Sequence, residues 1–73
     1  MAKQNLEQQA YDYILHLITS CQLADGEFIN QSFIAAKLKM SRTPIRNAIA
    51  RLAGEGIITL FPCRGAFVHR RIY

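Results

Sequence analysis

Three apolar stripes at helical spacing, followed by two short apolar runs around a Pro- and Gly-containing tip, predict a mostly α chain that closes with a small β-hairpin. The stripes lie at about 6–22, 31–38 and 42–55, and the hairpin at 57–69. The third stripe is the most informative. In the run from Ser41 to Glu55, Ile45, Ala48, Ile49 and Leu52 share one face, while Arg42, Thr43, Arg46, Asn47 and Ala50 look the other way. One face packs, and the other is free for a partner.

Taken in order, Leu6 to about Gln22 reads as the first helix, with Leu6, Ala10, Tyr13, Ile14, Leu17, Ile18 and Cys21 recurring at three- and four-residue steps. Asn5 is its expected cap, and Gln8 is placed to complete a capping box. His16 falls off the stripe, one turn after Asp12, and reads as an exposed histidine. A turn at Ala24-Asp-Gly26 leads to a short strand over 27–29. Asn30 then caps a second helix, Gln31 to Leu38, with Ile34, Ala35 and Leu38 inward. Phe33 either staples against the first helix or stands exposed. Only Lys39 and Met40 separate this helix from the next cap, Ser41, and Met40 is expected to plug the angle. Pro44 falls in the first turn of the third helix, where a missing N–H costs nothing. Gly56 supplies the left-handed residue that ends it. Ile57–Phe61 and Ala66–His69 are the hairpin strands, and Pro62-Cys-Arg-Gly65 is the tip. Three helices, a minimal strand and a leaning hairpin make a winged helix-turn-helix.

At 73 residues, the chain is one small domain able to bury roughly 60% of the surface its unfolded form exposes. Such a core leaves little room for an enclosed active site. The net charge of +4 is unevenly placed. Residues 1–36 carry Lys3 against Glu7, Asp12, Asp25 and Glu27, a balance of −3; residues 37–73 carry eight Lys and Arg against Glu55, a balance of +7. The basic half contains the presented helix, so its natural partner is a polyanion. Cys21 and Cys63 lack metal-type spacing and read as free thiols in a reducing cytoplasm, with no metal and no cofactor. No secretory leader or membrane-spanning apolar run is present in the sequence.

Arg42 and Arg46 lie one turn apart on the free face, and each can offer two parallel donors to guanine O6 and N7 in a major groove. Thr43, beside the first, can meet a base edge or a thymine methyl. Arg64 at the hairpin tip is placed for a phosphate or the neighbouring minor groove, and Arg70 and Arg71 for phosphates. The leading expectation is therefore sequence-specific binding of double-stranded DNA. A second reading is a winged-helix module that binds a protein through Phe33 or Tyr11. A third, an enzyme using Cys63 with His69, lacks a carboxylate to orient the imidazole.

Met40-Ser-Arg-Thr-Pro-Ile-Arg-Asn-Ala-Ile49, then Arg51-Leu52, Glu55-Gly-Ile-Ile58, Pro62 and Arg64-Gly-Ala-Phe-Val68, resemble the DNA-binding domain of GntR-type bacterial transcription regulators, in the branch that includes FadR. The resemblance covers about residues 6–69 of a single domain spanning 1–73. It implies that Arg42, Thr43 and Arg46 approach bases, that Ser41 and Asn47 flank them, and that Arg64 and Gly65 bring the wing to the minor groove. Ser32 stands where many members have an arginine, so Lys37 or Lys39 is the expected substitute contact. Cys63 replaces a wing glycine, Asn47 a common glutamate, and Lys39 a turn glycine, the last at a cost of roughly 1 kcal/mol if left-handed. The resemblance also implies a bacterial, cytoplasmic, nucleoid-associated regulator, most simply a repressor, that dimerises through a further domain in a full-length form. These 73 residues show no effector-binding domain and no effector site.

Overall fold

A computed structural model describes residues 5–20, 22–24, 26–62 and 64–69. The elements are α1 (Leu6–Thr19), β1 (Phe28–Ile29), α2 (Gln31–Leu38), α3 (Arg42–Gly54), β2 (Ile58–Phe61) and β3 (Gly65–Val68). This is the expected winged helix-turn-helix. Expectations for Lys3, Cys21, Asp25, Cys63, Arg70 and Arg71 fall outside the described residues.

The local chemistry of α1 departs from expectation at both ends. Asn5 Oδ1 accepts the Glu7 N–H at 2.7 Å, but Gln8 does not reciprocate. Its amide donates to Asp12 Oδ1 at 2.9 Å and accepts from Arg51 at 3.1 Å, so no capping box forms. The helix stops at Thr19 rather than near Gln22. Ser20 turns both its hydroxyl and its N–H onto the His16 carbonyl, and the N–H groups of Gln22 and Leu23 both go to Leu17. Leu6, expected on the buried stripe, is 51% exposed; burial begins at Ala10.

Helix α2 has the expected bounds and cap, with Asn30 Oδ1 accepting the Phe33 N–H at 2.9 Å. Lys39 ends it in the left-handed conformation, φ 58° and ψ 48°. The Lys39 N–H reaches Ala36 and the Met40 N–H reaches Ala35, so two terminal carbonyls are satisfied by a turn that favours glycine. Lys39→Gly should therefore raise stability by about 1 kcal/mol. Urea unfolding tests this, and a fall in midpoint would contradict it.

Ser41 has the extended backbone of a cap, but its hydroxyl makes no capping bond. At the other end of α3, Gly56 at φ 82° sends its N–H to Ala53, and Ile57 sends its own to Leu52. This turn aims the chain back into the sheet.

The strands pair antiparallel in the order β1-β3-β2, with Phe28 opposite Phe67 and Thr59 opposite Phe67 on the other side. The inner sheet face buries Ile29, Ile58, Ala66 and Val68 against Ala10, Ile14 and Ile18 of α1, Ile34 of α2, and Ile45, Ala48, Ile49 and Leu52 of α3, in one cluster. Fully burying an isoleucine or leucine contributes about 1.5–3 kcal/mol, so this cluster holds the helices in place. On the outer face Phe67 meets Phe28 and Phe61 edge to face, with centroids 5.4 and 5.6 Å apart. Phe33 stands exposed.

Helix α1 packs chiefly on α3, and a polar clasp reinforces that contact. The Arg51 guanidinium lies 4.2 Å over the Tyr11 ring and 3.4 Å from Glu7, while the Tyr11 hydroxyl donates to Glu55 at 2.6 Å. That hydrogen bond, ahead of burial, holds the tyrosine above its ordinary pKa. Each exposed contact is individually weak, so the clasp fixes orientation more than it adds stability.

Candidate nucleic-acid interface

Helix α3 follows the turn at Lys39-Met-Ser41, and its polar face is exposed. Arg42, Thr43, Arg46 and Asn47 are all exposed, while Ile45, Ala48, Ile49 and Leu52 behind them are buried. Among the described residues no ion pair or side-chain hydrogen bond engages Arg42 or Arg46. Both guanidiniums are free to bind. Ser41 is exposed at the start of the same helix, where N–H groups without intrahelical partners favour an anion.

Arg51 behaves differently. It belongs to the same helix and contributes to the same basic half, but the clasp draws it toward α1. Tyr11, offered by the sequence as a surface for a protein partner, is engaged in the same clasp.

The wing tip is a three-residue connection in which the Arg64 N–H donates to the Phe61 carbonyl at 3.1 Å. Arg64 is exposed. Gly65 has φ 115°, and a Cβ there would stand 2.9 Å from the Phe28 ring. The backbone conformation calls for glycine at this position, and a side chain would also displace the half-exposed Phe28 ring. His69 pairs its Nδ1 with the Thr59 hydroxyl at 2.9 Å.

Between α3 and β2 runs an open cleft of about 530 Å³ lined by Gln31, Thr43, Arg46, Asn47, Ile49, Ala50 and Leu60. Three expected site residues meet there. Gln31 and Leu60 were not among the expected site residues, because only the tertiary packing of α2 and the wing onto α3 brings them to the cleft. Lys37 lines a different groove, with Phe33 and Ile34 of its own helix, Tyr13 of α1 and Phe28 of β1, so it does not join the cleft. Lys39 is exposed in the turn. Among the described residues no cluster of His, Cys, Asp and Glu could hold a metal, and no helix is long and apolar enough to cross a membrane.

The gntR family of bacterial regulatory proteins matches residues 6–68, nearly the whole chain. The chain belongs to the GntR family. Similar proteins include an HTH-type transcriptional regulator in an unstable DNA locus of Streptomyces ambofaciens, 36% identical over 96% of this chain and 31% of that protein. The HTH-type transcriptional repressor RspR of Escherichia coli K12 is 31% identical over 92% of this chain and 29% of its own length. Among solved structures, Lar, which controls expression of the Listeria monocytogenes agr system, superposes with TM-score 0.87 at 27% identity, covering all of this chain and 34% of Lar. Streptococcus agalactiae GntR superposes with TM-score 0.75 at 28% identity, over 86% of this chain and 31% of that one. This chain thus spans about a third of the GntR relatives it matches. It carries the winged helix-turn-helix of this family of DNA-binding transcriptional regulators.

Proposed function

We propose that this domain binds duplex DNA sequence-specifically, with the exposed face of α3 in the major groove and the wing at the adjacent minor groove. The observation that carries this reading is the pair of unengaged guanidiniums, Arg42 and Arg46, on a helix whose opposite face is locked in the core. Arg42 and Arg46 read guanine edges, Thr43 and Asn47 contact neighbouring bases, and Ser41 anchors a phosphate at the helix start. Arg64 enters the minor groove or grips its phosphates, while Gly65 keeps the tip narrow. Lys37 and Lys39 add long-range attraction rather than base contacts.

The assignment extends to a FadR-like regulator that acts in the bacterial cytoplasm at the nucleoid, with repression as its outcome. RspR, named a repressor, supports that direction by similarity alone. The family resemblance implies a homodimer in a full-length form, with any effector held outside these residues. No catalytic role is assigned to this domain.

If about four to six phosphates are neutralised, log K should fall with log salt at a slope near −4 to −5. Fluorescence anisotropy across a salt series measures this. A cognate duplex selected from a random pool must also outbind a scrambled one; equal affinity at every salt concentration would contradict sequence-specific recognition.

A further inference from the structure

We infer that Leu60 is a specificity-determining residue that packs on the deoxyribose of the strand lying between the two grooves, and so makes the domain sensitive to a 2′-hydroxyl there. The inference rests on the DNA-binding reading above and goes beyond it by naming what the cleft takes.

Leu60 is 47% exposed, although it stands opposite Ala66 on the inner, core-facing side of the wing. Its neighbours along that face, Ile58 and Val68, are 2% exposed. Leu60 lies near the tip end of the edge strand β2, where it lines the cleft beside α3 instead. On the α3 side the cleft is lined by Thr43, Arg46, Asn47 and Ala50, with Gln31 from α2; on the β2 side it is lined by the aliphatic Leu60.

With α3 in a major groove and the wing in the next minor groove, the wall dividing those grooves is one sugar-phosphate strand. That strand must pass between helix and wing, which is where the cleft lies. A nucleotide there presents phosphate oxygens on one side and the carbons of the sugar on the other. Gln31 can donate to the oxygens from α2, while Arg46 and Asn47 face the bases. Leucine can offer no hydrogen bond, and its complement is the C1′–C2′ edge of deoxyribose. A hydroxyl at C2′ would face an aliphatic surface without a partner, which is unfavourable.

The test uses a duplex selected by the domain from a random pool, in two series: one ribonucleotide at each position in turn, and deoxyuridine for each thymidine in turn. Wild-type protein should lose about fivefold or more in affinity at one backbone position flanking the α3 motif, the low end of what an unsatisfied hydroxyl costs. Leu60→Ser should abolish that loss while melting near the wild-type temperature, and comparing the two proteins cancels the effect of sugar pucker on the duplex. The inference is overturned if no ribonucleotide penalty depends on Leu60. It is also overturned if the Leu60-dependent penalty appears only with deoxyuridine, which would make Leu60 a reader of thymine methyls. Failure of the wild-type protein to bind any unmodified duplex would instead overturn the DNA reading itself.

Discussion

Replacing Arg42 and Arg46 together with alanine is expected to remove specific DNA binding while leaving the fold intact. Each bidentate arginine–guanine contact discriminates by about 1–3 kcal/mol, so the pair should cost about 2–6 kcal/mol, roughly thirty- to twenty-thousand-fold in affinity. Both residues are exposed and unengaged, so the double variant should melt within a few degrees of the wild type. Anisotropy titration against the selected duplex, with a circular dichroism melt alongside, separates the two effects. Retained affinity would place recognition elsewhere. Lysine at either position should rescue only in part, because an ammonium restores charge without the two-pronged geometry.

Leu52→Ala is expected to do the reverse and destroy the fold. Leu52 is fully buried at the back of α3, and its carbonyl receives the Ile57 N–H in the turn that launches the wing. Truncating a buried leucine costs about 2–5 kcal/mol, most or all of the few kcal/mol a domain of this size has. At room temperature a large share of the variant should be unfolded, with binding reduced to match. A cooperative melt close to that of the wild type would show that the core can collapse around the cavity. Together the two variants separate the packing face of one helix from its recognition face.

The sequence made this helix readable because its two faces carry opposite chemistry and its end has a dedicated glycine. Helix α2 was equally legible, since Asn30 fixes its start and the Lys39 turn its end. Where non-local contacts decide the outcome, the sequence carried less. Glu27-Phe-Ile29 reads as a short strand, but nothing local indicates that it pairs with β3 forty residues later. The end of α1 was misjudged because apolar spacing continues past Thr19, while Ser20 competes for the last carbonyl. Gln8 looks like a capping-box residue until α3 brings Arg51 within reach.

The candidate site shows the same division. Arg42, Thr43, Arg46 and Asn47 follow from helical geometry alone, and Arg64 from the hairpin tip. Charge could not distinguish Arg51, which the clasp diverts to α1, from Arg42 and Arg46 on the same helix. Nor could it reveal that Lys37 faces a separate groove. Leu60 has no signature in the sequence beyond its place in a strand, because its exposure depends on how β2 sits beside α3.

The most direct examination of the proposed interface is selection from a random duplex pool, run in parallel with wild-type protein and with Arg46→Ala. The wild type should enrich a short motif containing guanine, and the variant should lose information at one of its positions while keeping the rest. A pool that stays random with the wild type, or an identical motif from both proteins, would contradict the claim that this arginine reads a base.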